Sequence, residues 1–379
     1  MPGLLPHVDP DGLLEYSVVY TDRALNHMSK AFQGVMKDIS RILKEVYGAH
    51  SAIVVPGSGT FGMEAVARQF ATGKKCLVIR DGWFSFRWTQ IFDMGGIPAE
   101  TVVLKARALR EGRQAPFAPP PIEEVEAAIK REQPDIVLAA HVETASGIML
   151  PETYLRRIAD AVHAGGGLFV LDCIASGAIW VDMRKVGADI LISAPQKGWS
   201  GPACCALVML SSLARERIET TTSTSFTCDL RKWLQIAETY EKEGGFAYHA
   251  TMPTDALRDL RDVMLETQAF GFERARAAQQ ELGDKVRAML REQGYKSVAA
   301  EGYEAPGVVV SYTDDDGIQS AAKFAQAGVQ AAAGVPLQCD EPKDFKSFRI
   351  GLFGLDKLGN VQRTVDTLGK ALKAISSGA

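Results

Sequence analysis

Leu168–Lys197 reads LFVLDCIASGAIWVDMRKVGADILISAPQK. Two short apolar runs stand out in it, Leu168–Leu171 and Ile190–Ile192, and each ends in polar chemistry: Asp172 after the first, Ser193-Ala194-Pro195-Gln196-Lys197 after the second. Runs that are apolar at every residue predict strands covered on both faces, the pattern of a parallel sheet in an α/β protein. Ligands of such sheets sit outside the carboxyl ends of the strands. A carboxylate there is expensive to desolvate unless it meets positive charge, and Lys197, following the next strand, would point into the same crevice.

Working outward, the same alternation continues on both sides. Strands are predicted at Ala52–Val55, Cys76–Ile79, Val102–Leu104 and Ile136–Ala140, with helices from about Phe61, near Trp88, and over Ile122–Glu132 and Tyr154–Ala164. Upstream, Phe32, Val35, Met36, Ile39, Ile42, Leu43 and Val46 repeat at helical spacing and predict a helix over Ala24–Tyr47. Downstream come a strand at Cys205–Leu210 and a long helix over Met264–Gln293, followed by strand candidates at Gly307–Ser311 and Phe348–Ile350 and helices at Ile318–Ala327 and Val361–Ile375. The expectation is an α/β chain in three parts: an N-terminal segment, 1–23; a large domain with a mostly parallel, helix-covered sheet, 24–262; and a smaller C-terminal α+β domain, 263–379, entered through the long helix.

At 379 residues, 46% apolar and 23% charged, the chain is long enough for two packed domains, which excludes a disordered or fibrous protein. Its 42 basic residues against 46 acidic ones give a net charge of -4 with no block of one sign, arguing against nucleic acid and membrane surfaces as partners. The six cysteines lack CxxC spacing and the six histidines lack HxxxH or HExxH pairing, so they read as reduced thiols with no metal site. Neither terminus reads as a targeting signal and no apolar run reaches membrane-spanning length; a cytoplasmic setting is expected.

Gly57-Ser58-Gly59-Thr60 follows the first strand and can be read two ways. Gly57–Gly62 spells GxGxxG between a strand and a helix, and Asp81 ends the next strand at roughly the 20-residue distance of a ribose-binding acid, as in a dinucleotide-binding dehydrogenase. Alternatively, free N–H groups at the helix N-terminus and the hydroxyls of Ser58 and Thr60 form a cup for one phosphate monoester. Asp172 and Lys197 favour the second. A pyridoxal phosphate enzyme needs both: a lysine to form a Schiff base with the cofactor aldehyde, and an aspartate to pair with the pyridinium nitrogen.

Several further strings carry a family resemblance: Gly57–Ala65 (GSGTFGMEA), Gly82–Arg87 (GWFSFR), His141–Gly147 (HVETASG), Asp172–Ser176 (DCIAS), Ser193–Lys197 (SAPQK), Tyr248–Pro253 (YHATMP) and Phe348–Leu352 (FRIGL). In this order they resemble class V, fold type I pyridoxal-phosphate aminotransferases, and most nearly the alanine:glyoxylate and serine:pyruvate branch. The resemblance runs from about Ser51 to the end. It implies that Lys197 links to the cofactor, Asp172 partners the ring nitrogen, and Ser58, Gly59, Thr60 and Gln196 bind the phosphate. It also implies that Phe84 stacks on the ring, with Trp83 as the competing assignment, and that Thr144 donates to the phenolic oxygen. Tyr248 and Thr251 match residues given to the neighbouring subunit's phosphate, which implies a homodimer. Arg349 matches the arginine that holds the substrate carboxylate, a task suited to a planar guanidinium fork.

The start of the chain departs from that family, because Met1–Pro6 (MPGLLP) replaces a Gly-Pro-Gly-Pro-like turn. The expected reaction is a ping-pong transfer from a small amino acid, alanine or serine, to glyoxylate or pyruvate. The 57–66 segment is also similar to 2-aminoethylphosphonate:pyruvate aminotransferases, and a lyase on the same cofactor stays open.

Overall fold

The computed structural model describes residues 5–377; Met1–Leu4 and the last two residues, and with them part of the N-terminal segment and of the terminal domain predicted above, lie outside it. Seven strands form the main sheet: β1 (Ser51–Pro56), β2 (Lys75–Arg80), β3 (Glu100–Lys105), β4 (Ile136–Ala140), β5 (Leu168–Asp172), β6 (Ile190–Ser193) and β7 (Cys205–Leu210), in the spatial order β1-β7-β6-β5-β4-β2-β3. Only β7 runs against its neighbours. Strands β4, β5, β6 and β7 are buried at every position, as expected of a sheet with helices on both faces. In register, Asp172 lies between Ala140 of β4 and Ile192 of β6, at the carboxyl edge of the sheet's centre.

Local chemistry explains most helix ends. The first helix is Lys30–Tyr47, six residues shorter than its apolar periodicity suggests, because Ser29 caps it by accepting from Phe32 N; Gly48, at φ 63, ends it. The expected helix over 264–293 is two, Thr254–Phe270 and Phe272–Glu292, broken at Gly271 with φ 97. The expected helix over 318–327 is likewise two short pieces, Asp316–Gln319 and Ala322–Gln326, interrupted by Ala321 at φ 64. A helix that the sequence reading passed over, Leu230–Glu241, packs on β1.

The C-terminal part carries a three-stranded antiparallel sheet of β8 (Val308–Tyr312), β9 (Ala332–Ala333) and β10 (Ser347–Gly351), with β10 in the middle. Arg349 lies on that central strand, opposite Val310 and Ala332. Among the described residues no helix is long and apolar enough to cross a membrane.

Candidate active site

Ser58 precedes the helix Gly59–Val66 in extended backbone, and its side chain makes no capping bond. The hydroxyl and the first-turn N–H groups are thus left for an outside acceptor, as an anion cup requires. Gly57 starts the turn at φ 125 and donates its N–H to Cys204 O at 3.0 Å. Gly62 has a packing reason instead: a Cβ there would stand 2.5 Å from the Cβ of Ala206 on β7.

Asp172 is buried at the end of β5, where Ile174 N donates to its Oδ1 at 2.9 Å. That bond lowers its pKa, but burial outweighs it and, with Glu143 nearby, pushes the carboxyl up to about 7. Such a group gains most from a cationic partner arriving in the cleft, which is what a pyridinium N–H offers.

Lys197 lies in a tight loop beyond β6. Gly201 N donates to Pro195 O, Ser200 N to Lys197 O, and Ser200 takes φ 58. Gly198 is obligatory, since a Cβ there would stand 2.1 Å from the backbone oxygen of Gly177. Leu355 N, from the C-terminal part, donates to Ser200 Oγ at 3.0 Å and ties the loop to that part. The Lys197 ammonium sits 5.1 Å from the centre of the Phe353 ring. Burial first, and the Arg349 charge second, lower its pKa.

Arg349 is half-buried, donates Nε–H to Ala333 O at 2.8 Å and lies 5.5 Å from the Phe84 ring centre. Arg87 approaches the same ring, at 5.1 Å. Trp83 instead pairs with Phe86, their centres 5.7 Å apart, and Phe84 is the ring that both arginines approach. Thr144, nine-tenths buried, sits at the tip of the hairpin Val142–Glu143 and Ile148–Met149. Gln196 is exposed beside Lys197. Tyr248 and Thr251 are also exposed; their hydroxyls bond each other at 2.8 Å and none of the cup's atoms.

The sequence reading assigned no role to Glu143. It is fully buried and accepts from Phe84 N, Ser85 N, Ser85 Oγ and Ala145 N, so one carboxylate fixes both the N-terminus of the helix Trp83–Gly95 and the hairpin that carries Thr144. Its only sequence signal was a place inside the HVETASG string. Arg87 likewise lies within the GWFSFR string with no other sequence signal of its place.

Asp81 corrects the dinucleotide alternative. It is 1% exposed, neither carboxyl oxygen has a hydrogen-bond partner, and burial beside Glu143 pushes its pKa up to about 8. A carboxyl so enclosed presents no acceptor to a ribose at the surface.

Known proteins resemble the chain in sequence and in fold. Residues 13–335 match the family described as Aminotransferase class-V. An L-aspartate--glyoxylate aminotransferase of Paracoccus denitrificans is 29% identical over 73% of this chain and 67% of its own. A 2-aminoethylphosphonate--pyruvate transaminase of Pseudomonas aeruginosa is 27% identical over 88% of this chain and 86% of its own. In fold, an alanine--glyoxylate aminotransferase from Nostoc sp. superposes with a TM-score of 0.76 at 21% identity, covering 92% of this chain and 88% of that one. The cup, the buried carboxyl and the lysine fit the cofactor of that family, and the chain belongs to the class-V aminotransferases, pyridoxal-phosphate-dependent enzymes with a fold type I architecture.

Proposed function

We propose that this enzyme moves the amino group of a small amino acid, of the alanine or serine type, to glyoxylate or pyruvate. The observation that carries the reading is that Arg349, the guanidinium suited to one carboxylate, lies beside the Phe84 ring and within electrostatic reach of Lys197, while Asp172 ends the central strand. Both acceptors occur in the names of the two curated relatives, glyoxylate in one and pyruvate in the other. The longer match to the aminophosphonate enzyme supports a second reading, in which the donor carries a phosphonate.

Ser58, Gly59 and Thr60, with Gln196, would hold the cofactor phosphate; Asp172 would pair with the ring nitrogen; Phe84 would stack on the ring; Thr144 would donate to its phenolic oxygen. Bound there, pyridoxal phosphate supplies a ring that takes up negative charge from the substrate α-carbon. Arg349 grips the carboxylate through two parallel N–H bonds and so orients the α-hydrogen. Lys197 takes that proton at Nζ and gives it back, a role its lowered pKa suits. Asp172, once paired, holds a negative charge that it sheds easily when alone.

The proposal includes a homodimer in which the partner subunit's Tyr248 and the partner subunit's Thr251 complete the cup. It also includes the division into 1–23, 24–262 and 263–379, and a reducing cytoplasm, consistent with six free thiols.

A spectrophotometric half-reaction screen tests the reading. Enzyme loaded with pyridoxal phosphate should change its absorbance with alanine or serine and recover with glyoxylate or pyruvate. A response confined to 2-aminoethylphosphonate would replace the donor by the second reading, and no response to any amino compound would reject both.

A further inference from the structure

Arg87 is half-buried on the helix Trp83–Gly95 and forms no ion pair with a described carboxylate, unlike Arg68 nearby in sequence, which is paired to Glu64. Its Nη1 donates to Thr60 Oγ1 at 2.9 Å, and its guanidinium carbon lies 5.1 Å from the Phe84 ring centre. Its charge reaches the buried Asp172 carboxyl without pairing to it, so a guanidinium half out of water is left with no ion pair that an anion from outside the chain could not improve on.

Thr60 is the second residue of the helix that starts the cup, next to the uncapped Ser58. A hydroxyl has one proton and two lone pairs. With one lone pair taken by Arg87, the Thr60 proton is left to donate into the cup, and the bond it accepts polarises it for that task. Without Arg87 the cup of Ser58, Gly59 and Thr60 consists of neutral donors and a partial helix charge, which is weak against a phosphate dianion.

We propose that Arg87 is a positioning residue that gives the phosphate cup its fixed positive charge, acting through the Thr60 hydroxyl; this deepens the pyridoxal-phosphate reading and rests on it. The chemistry recognised is a phosphate monoester dianion, which the planar fork of guanidinium donors suits.

Cofactor-free wild type, Arg87→Met, Arg87→Lys and Thr60→Val are titrated with pyridoxal phosphate and, separately, with pyridoxal, following absorbance and tryptophan fluorescence. Arg87→Met should bind pyridoxal phosphate roughly tenfold or more weakly, the loss expected for a charge-assisted hydrogen bond, while its affinity for pyridoxal stays at the wild-type value. Arg87→Lys should recover part of the loss, and Thr60→Val combined with Arg87→Met should lose no more than the larger single effect. The phosphorus resonance of bound pyridoxal phosphate should stay fixed with pH in wild type and titrate in Arg87→Met. Equal affinities for pyridoxal phosphate, or an equal loss for pyridoxal and pyridoxal phosphate, would overturn the proposal; the second result would make Arg87 a support for Phe84. Wild type that binds neither compound would overturn the cofactor reading itself.

Discussion

Asp172 and Asp81 both keep protons that ordinary carboxyls lose. Burial raises them from 3.8 to about 7 and about 8 respectively. The unfolded chain releases both protons near pH 4, so between there and pH 8 the folded protein binds more protons than the unfolded one. Each contribution to stability is therefore complete below pH 4 and declines as the pH rises towards the folded value. Cofactor-free Asp81→Asn should lose less of its thermal midpoint between about pH 5 and pH 8 than wild type, and parallel midpoint curves would remove Asp81 as a buried acid. Arg349→Lys keeps a charge but not the fork, and its kcat/KM for carboxylate donors should fall roughly tenfold to a hundredfold; an unchanged value would take the carboxylate away from Arg349. Asp172 and Lys197 were legible in the sequence because strand ends are marked by the arrest of apolar runs. Glu143 was not, because its partners Phe84 and Ser85 lie 59 and 58 residues away and only the fold brings them to it.

The elements hold the site through a few close approaches. Glu143→Ala would strand the N–H groups of Phe84, Ser85 and Ala145, so it should cost at least about 2 kcal/mol and weaken cofactor binding, with Glu143→Gln milder. Equal midpoints for Glu143→Ala and wild type would show that the hairpin and helix are held otherwise. Gly62→Ala would drive a methyl into Ala206 and should destabilise by about 1–3 kcal/mol, whereas Gly198→Ala meets rigid backbone and should also move Lys197 and reduce turnover. The central strands of the large sheet were readable almost residue by residue, since burial on both faces leaves no ambiguity of period, whereas β3, with no buried position, was predicted over only Val102–Leu104 of Glu100–Lys105. The broken helices were not: Gly271 and Ala321 interrupt runs whose apolar spacing continues on either side, and a positive φ at Ala321 has no local sequence cue.

At the scale of the whole molecule, several exposed apolar residues belong to the N-terminal segment and to the stretch around Tyr248. Leu13, Tyr16 and Val18 are almost fully exposed, Phe226 is largely so, and Phe246 and Tyr248 are about half exposed. Tyr20 OH donates to Met252 O at 3.1 Å, and His27 packs against Tyr20, Phe246 and Tyr248, so the N-terminal segment and the Tyr248–Thr251 stretch share a surface. Apolar patches of this kind mark contact sites. If two copies meet here and share sites, Lys197→Ala and Tyr248→Ala, each inactive or impaired alone, should complement on subunit exchange to about a quarter of wild-type activity, since half the dimers would carry one intact site of two. No recovery in subunits shown to have exchanged would place Tyr248 outside the partner's site.

One lysine, Lys197, would carry the covalent chemistry of the site. Wild-type protein incubated with pyridoxal phosphate, reduced with borohydride and digested for peptide mass mapping should carry the pyridoxyl group on Lys197, at a ratio near one per chain. Reduction that labels other lysines while leaving Lys197 free, or no label at saturating cofactor, would contradict it.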